Sequence, residues 1–353
     1  ALPYIDLLPN MNAMWLNKLW LQSLKLDEPK NAEELLELLK AFKNSDPNYN
    51  GKKDEKSLSF TGVYDLKYLA HAFSIVCDDF NLSYENGKVE HFSEKEGFRD
   101  FLKFLSELGK QKIIDADSLN VPENLRREGN AKAEKKYGLI IAPLPSHYVP
   151  NEWVEDFSVL RPLESKGERR YRPIINPIYG GCFAIGKNAS NKEALLKWAD
   201  YLYSEEGARL SRLGIEGRDY VMNGDGTWKL NENNRFSVYR ASIEGSFDTP
   251  GVSLLDMQYS YQDKKVAYCL SEIDKLRPYV VKMPAFTEAD FKDTERLKAL
   301  NARLSKLLDD FIGRVALNQI EVSDESLNEF RQSLLDNGLD EFKKLMHEAV
   351  GGK

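Results

Sequence analysis

The sequence predicts an α/β protein folded as more than one packed unit. Its 353 residues exceed what a single hydrophobic core usually organises. Amphipathic helices alternate along it with short apolar stretches bounded by Pro or Gly. No period of about 20–50 residues recurs, which excludes a repeat solenoid.

Residues 31–43 read as the first strong helix: Leu35, Leu38, Leu39 and Phe42 share one face, Asn31 stands at the cap, and Glu34 completes a capping-box spacing. Residues 96–108 repeat the pattern with Phe98, Phe101, Leu102 and Leu105. Residues 191–212 give a third helix, closed by Gly214 as a left-handed cap. Two long helices, 288–317 and 324–350, are expected to end the chain. Strands are expected at residues 137–142, 157–160, 174–178 and 181–185, each short and flanked by Pro or Gly.

Lys and Arg number 49 against 56 Asp and Glu, a net charge of −7, and no basic block could track phosphates. Nucleic acid is therefore not an expected partner. The longest apolar runs fall far short of the roughly 20 residues that cross a bilayer. Cys77, Cys182 and Cys269 are odd in number without CxxC spacing, so they read as buried small hydrophobes. The start, Ala1-Leu-Pro-Tyr4, has neither Met nor a basic leader and reads as cut.

The most specific stretch is Asp46-Pro-Asn48-Tyr-Asn50-Gly51-Lys52-Lys-Asp54-Glu55. Counted from Asp46, oxygen-bearing side chains fall at positions 1, 3, 5 and 9, a Gly at 6 and a backbone carbonyl at 7, as in an EF-hand loop. These are hard ligands suited to Ca²⁺. Position 12 is Ser57 rather than Glu, so Glu55 would supply the missing carboxylate, and residues 58–61 read as extended rather than helical. A solvated turn that binds nothing is the competing reading. His71, His91, His147 and His347 are scattered without metal-hydrolase spacing. Gly181 to Lys187 mimics a P-loop but has Asn188 where Ser or Thr must reach Mg²⁺. Asn223 to Trp228 reads as a tight turn, and no nucleophile elbow can be assembled.

Several runs together resemble a known family: Trp15-Leu-Asn-Lys-Leu-Trp20 with its continuation to Leu26, the Asp46 loop, Asp65-Leu-Lys-Tyr-Leu-Ala-His-Ala-Phe73, Tyr84-Glu-Asn-Gly-Lys-Val89, Tyr137-Gly-Leu-Ile-Ile-Ala-Pro-Leu-Pro145, and Tyr201 to Gly207 with Gly214-Ile-Glu-Gly217. They resemble the extracellular solute-binding proteins of ABC transporters, family 1, in the LipO-like lipoprotein branch that includes alginate-oligosaccharide binders. The resemblance implies a periplasmic-binding-protein-like type II fold, two α/β lobes with a hinge, the first lobe incomplete because the family's N-terminal segment is not in this chain. It implies a second lobe from residues 10–177 and 283–353, a returning part of the first lobe at 178–282, and a hinge crossover at 1–9. It implies a structural Ca²⁺ held by Asp46, Asn48, Asn50, the carbonyl of Lys52, Asp54 and Glu55.

The same resemblance implies a carbohydrate, an oligosaccharide, held in a cleft between lobes and passed to an ABC permease, outside the membrane, with contact to the bilayer only through a lipid anchor. Binding rather than catalysis is expected. A carbohydrate-active hydrolase with an Asp/Glu pair and a peptide binder are the alternatives. Sugars are gripped between aromatic faces and hydroxyl partners, so Phe80, Tyr148 and Trp153 are candidate contacts, with Asn12 and Arg172 near the presumed crossovers. Core packing competes for Phe80 and Trp153, and plain surface roles for Asn12 and Arg172.

Overall fold

The structure is a computed structural model that describes residues 2–6, 12–85, 87–119, 135–172, 178–224, 228–231, 251–253, 263–284, 286 and 290–351. The chain divides into two compact units: unit 1 is Ala1–Met11 with Ile174–Ser271, and unit 2 is Asn12–Pro173 with Glu272–Lys353. Among the described residues the strands run, in chain order, β1 (Leu2–Asp6), β2 (Ala13–Asn17), β3 (Lys56–Ser59), β4 (Leu82–Glu85), β5 (Lys88–His91), β6 (Tyr137–Ala142), β7 (Phe157–Val159), β8 (Glu164–Ser165), β9 (Glu168–Arg169), β10 (Ile178–Phe183), β11 (Tyr220–Met222), β12 (Trp228–Leu230) and β13 (Gly251–Ser253).

Unit 2 is built on a sheet of order β3-β6-β2-β7, with β3 parallel to β6 and β2 antiparallel to both its neighbours. Every residue of β2 and β6 is buried, as a sheet covered on both faces requires. Asn17 ends β2 and starts α1 (Lys18–Leu24): its Nδ2 donates to Tyr137 O at 2.9 Å, while its Oδ1 accepts from Leu19 and Trp20. The expected helix at 31–43 is α2 (Ala32–Asn44), burying Leu35, Leu38, Leu39 and Phe42. Asn31 Oδ1 caps it, but Glu34 reaches back to the N–H of Lys30, one residue beyond a capping box. Trp20 and Phe42 meet edge to face at 5.2 Å over β6. A Cβ on Gly138 would stand 2.5 Å from Phe42, so only glycine permits that approach.

After β3 come α3 (Gly62–Leu66) and a 3₁₀ segment, Lys67–Phe73, and later α4 (Phe98–Lys110), which buries Phe98, Phe101, Leu102 and Leu105 as expected. Helix Thr294–Ala316 packs on α4. The single run expected at 324–350 is two helices, Asp324–Asp336 and Leu339–Gly351. They part at Gly338, whose φ of +98° disfavours a side chain and where a Cβ would stand 2.6 Å from Leu300 Cδ2. Phe311 and Phe330 stack at 4.0 Å to join two of these helices.

Unit 1 holds a sheet of order β10-β1-β13, β1 antiparallel to β10 and parallel to β13. Residues 1–9 were expected as a crossover, yet residues 2–6 form the middle strand of this sheet, its backbone paired on both sides. Pro3, which cannot donate to a ladder, sits at the register shift between Pro3 and Tyr4. The strand expected at 181–185 begins earlier and lies along β1. The helix expected at 191–212 breaks into Lys192–Tyr203 and Glu205–Leu213, because Ser204 is extended and its Oγ caps the second piece at Gly207 N, 3.1 Å away. Gly214 follows at φ +85°. Residues 272–282 sit with unit 2 rather than unit 1: Val159 N donates to Glu272 Oε2 at 3.1 Å, and Tyr171 N to Tyr279 O at 2.8 Å. Cys77 and Cys269 are buried and form no disulfide among the described residues. The side chain of Cys182, residues 174–177 of an expected strand, residues 225–227 of the expected turn and residues 288–289 of an expected helix lie outside the described residues.

His71 shows how polar groups enter this core. Its Nδ1–H donates to Tyr68 O at 2.5 Å and its Nε2 accepts from Leu163 N at 2.8 Å. Burial, with Arg169 adding to it, pulls the imidazole down from 6.5 to about 4. A histidine with a depressed folded pKa stabilises the fold fully above 6.5 and loses that contribution as pH falls through about 4, about 3 kcal/mol in all. Urea unfolding between pH 7 and 4 should therefore show stability falling, and His71→Gln, which keeps a donor and an acceptor, should flatten that limb. An unchanged slope in the variant would remove His71 as the cause.

Candidate functional site

Unit 2 receives the chain at Asn12, releases it after Arg172 and takes it back at Glu272. All three points lie at one end of its sheet. Tyr171 Oη donates to Asn12 O at 3.1 Å, Asn12 N to Tyr68 Oη at 3.4 Å, and Glu272 holds the last residue of β7. At the same end β3 runs into α3. There the buried Asp65 carboxylate accepts from Thr61 N with one oxygen and from Asn12 Nδ2 with the other. Asp65 thus binds the entry point to the end of the central sheet.

Around this tie stand the groups that can meet a ligand. Tyr64 is 43% exposed, and the Arg172 guanidinium lies 5.2 Å from its ring and 4.7 Å from that of Tyr68. Arg172 donates to Asp79 Oδ1 at 2.8 Å, and Tyr64 Oη donates to the same oxygen at 3.1 Å. Tyr148 Oη is 3.4 Å from Thr61 Oγ1. Beneath the surface Lys67 Nζ reaches Asp309 at 3.0 Å and Asn81 Oδ1 at 2.8 Å, and burial lowers its pKa although Asp309 opposes this. Burial also raises Asp78 to about 6 despite hydrogen bonds from Leu82 N, Tyr84 Oη and Phe80 N. A half-exposed ring beside a guanidinium–carboxylate pair can stack on an apolar face and hydrogen-bond hydroxyls.

The five sequence candidates do not converge on one place. Asn12, Arg172 and the Tyr148 hydroxyl lie at the crossover end, with Tyr148 buried rather than turned to water. Phe80 packs against Phe286 and Phe342, at 6.2 and 6.4 Å between centroids. Trp153 lines a cavity with Asn17 and Phe157, at the opposite end of β2. Sequence reading missed Tyr64, Tyr68 and Asp79. The spacing of Tyr64 and Tyr68, four apart in a turn that follows a strand, was the available signal.

The Asp46 loop lies at that opposite end, where Lys56 pairs with Tyr137. Asp46 accepts from Asn50 N at 3.0 Å and Gly51 N at 2.9 Å, and Asn50 Oδ1 accepts from Lys52 N at 2.7 Å. Asn50 Nδ2 donates to Asp54 Oδ1 at 3.0 Å, and Asn48 Nδ2 to Lys135 O at 2.9 Å. Gly51 has a φ of +71°, the sharp turn expected at position 6. Both carboxylate oxygens of Glu55 are buried without a side-chain partner among the described residues, and only the backbone N–H groups of Glu55 and Asp54 favour its charged form. Burial raises the Glu55 pKa, with Asp54 and Asp46 adding to it. Among the described residues no three His, Cys, Asp or Glu side chains converge as a metal cluster. The loop's donors are a mixed oxygen set that includes amides and a carbonyl. A buried carboxylate without a side-chain partner beside such a set fits a hard cation.

The fold is that of the extracellular solute-binding proteins, as comparison with solved structures shows. An HMO-binding, ABC-transporter-associated solute-binding protein from Bifidobacterium longum infantis superposes with a TM-score of 0.77 at 21% identity, over 99% of this chain and 76% of its own. An EF-hand mutant of the Streptococcus pneumoniae protein FusA, in complex with fructo-nystose, gives 0.68 at 21% identity over 99% and 75%. The alginate-binding protein AlgQ2 without calcium ion gives 0.69 at 18% over 99% and 73%. By sequence, the chain is 39% identical over 219 residues to the fructooligosaccharide ABC transporter substrate-binding protein FusA of S. pneumoniae, 59% of this chain and 39% of that protein. It is 24% identical over 269 residues to the lipoprotein LipO of Bacillus subtilis, 70% of this chain and 51% of LipO. The chain thus spans about half or less of the length of these curated relatives. No family model matches it. Among the described residues no helix is long and apolar enough to cross a membrane.

Removing the Asp65 carboxylate should strand a buried N–H and loosen the entry at Asn12. Asp65→Ala is expected to lower unfolding stability by about 2 kcal/mol in urea titration. A loss within error of zero would show that the tie carries no weight.

Proposed function

We propose that this chain works within an extracellular, non-enzymatic binding component of an ABC importer, and that unit 2 grips a neutral oligosaccharide on its crossover face. The observation that carries the reading is the exposed Tyr64 ring flanked by the Arg172–Asp79 pair. The C–H face of a sugar ring stacks on Tyr64, and its hydroxyls exchange hydrogen bonds with Asp79, Arg172 and the Thr61 hydroxyl, which Tyr148 supports from beneath. Because Arg172 is already matched by Asp79, the face asks for hydroxyls rather than carboxylates. The sugar ligands named for FusA and for the Bifidobacterium protein support this class. The transporter named for FusA supports a permease as partner, and the name of LipO supports the outer face of the membrane with a lipid anchor.

The same reading gives the Asp46 loop a structural Ca²⁺, held by Asp46, Asn48, Asn50, the Lys52 carbonyl, Asp54 and Glu55. Bound there, the ion supplies the positive charge that the buried Glu55 carboxylate lacks. The EF-hand and calcium named for FusA and AlgQ2 support it.

Kestose and other neutral oligosaccharides should raise the melting temperature of the chain, since a ligand of the folded state alone stabilises it by mass action. Tyr64→Ala should weaken that binding about tenfold by calorimetry, and equal affinity in the variant would exclude the crossover face. EDTA should lower the melting temperature of the parent chain and leave Asp46→Ala unmoved. A parent chain indifferent to EDTA would remove calcium from the reading.

A further inference from the structure

A cavity of unit 2 lies away from the crossover face. It lies at the other end of β2, beside the Asp46 loop, with a volume of about 460 Å³, within the range of about 300–1,000 Å³ typical of small-molecule pockets. Its walls are the rings of Trp153, Tyr49 and Tyr137 and the edge of Trp20, contributed by four separate segments of the chain. Tyr49 is the unusual member. It is 76% exposed, and it takes a left-handed φ of +55°, which a bulky side chain adopts only when its surroundings impose it. Its hydroxyl lies 3.5 Å from Ser23 O.

The polar lining is sparse and balanced. Ser23 Oγ is buried and has no hydrogen-bond partner among the described residues. Gln22 is exposed on the rim. Lys135 Nζ stands 4.7 Å from the Trp153 ring centroid and 3.8 Å from Asp156 Oδ2, so the one cation is matched by the one carboxylate. A ligand here meets aromatic walls, a few hydroxyl and amide partners, and no net charge.

We propose that this pole of unit 2 is a second carbohydrate site, taking one or two neutral sugar rings between Tyr49 and Trp153, separate from the site on the crossover face. The sugar's apolar face lies on the rings, its hydroxyls reach Gln22 and the Lys135–Asp156 pair, and the buried, unpartnered Ser23 Oγ lies just behind the wall, within reach once its side chain turns toward the cavity. A purely apolar ligand would leave Ser23 Oγ unmatched, and a charged one would have to displace the ion pair. The site does not depend on the function proposed above, because its two stacking rings, Tyr49 and Trp153, are not among the groups of the crossover face; the two places meet only where Tyr137 packs on Tyr148 at 5.5 Å.

The test is calorimetric titration of the full chain carrying Tyr64→Ala, with sucrose, cellobiose, maltose and kestose as probes. At least one probe should still bind, and adding either Tyr49→Ala or Trp153→Ala should weaken that binding at least about tenfold. Tyr49 is so exposed that its variant keeps the fold, which a melting curve checks. Galacturonate should bind no tighter than galactose. The proposal is overturned if no probe binds the Tyr64→Ala chain, if residual binding ignores both ring variants, or if the uronate binds more than about tenfold tighter. A failure of the crossover reading looks different: parent-chain binding would then be unmoved by Tyr64→Ala alone.

Discussion

A strand buried on both faces has only its ends to offer to chemistry, and unit 2 is arranged around that constraint. β2 and β6 place all their side chains in the interior, so polar groups cannot sit along the sheet without a dedicated partner. Those that do are satisfied locally, as Trp15 Nε1 is by Ala142 O at 3.0 Å. The polar clusters described above lie at the ends of the sheet. One end gathers the chain crossings with Asp65, Arg172 and Asp79, and the other gathers the Asp46 loop with Lys135 and Asp156. Asn17 closes the second end by tying β2 to Tyr137 and capping α1 with the same side chain. The corresponding tie at the first end is Asp65, which reaches Asn12 and Thr61.

Buried charge follows the same rule of paired desolvation. Lys67 and Arg172 are each less than a tenth exposed, and each has a carboxylate within 3.0 Å. Breaking one partner of such a pair costs far more than the pair contributes, because the remaining charge stays in low dielectric. These pairs hold the 3₁₀ segment after α3 against helix Thr294–Ala316 and fix where Tyr64 and Tyr68 project. The positions of the Tyr64 and Tyr68 rings are therefore set in part by Lys67 and its partner Asp309, which lie beneath them.

How much of this could be read in the sequence depended on whether the signal was local. α2 and α4 were legible because their apolar spacing is carried by consecutive turns, and the Asp46 loop because its oxygens recur at fixed offsets. The breaks at Ser204 and Gly338 were not, since the apolar stripe continues through both. What parts the helices is a cap in one case and a close approach to a distant Leu300 in the other. The crossover face was only half legible. Arg172 could be picked out near a presumed crossing, but its partner Asp79 is 93 residues away and joins it only through the fold. Tyr148 and Trp153 are five residues apart in sequence, yet the hydroxyl of one reaches Thr61 and the ring of the other lines the cavity at Asn17. The chain between β6 and β7 runs the length of the sheet, and sequence proximity misleads wherever that happens.

On the reading proposed above, charge balance favours neutral sugars over the anionic ones that the resemblance to alginate binders suggests. A polyuronate needs a cation to spare for each carboxylate it buries, since an unmatched carboxylate in a partly dry cleft pays its desolvation in full. At the crossover face the guanidinium of Arg172 is committed to Asp79 and the ammonium of Lys67 to Asp309 and Asn81. Bringing a uronate to Arg172 would mean displacing Asp79, whose side chain is half exposed, and leaving Tyr64 Oη without its acceptor. A neutral sugar needs no such exchange. Its hydroxyls can donate to the outer oxygen of Asp79 while the pair stays intact, so on the proposed reading the ion pair that stabilises the face would also set its preference.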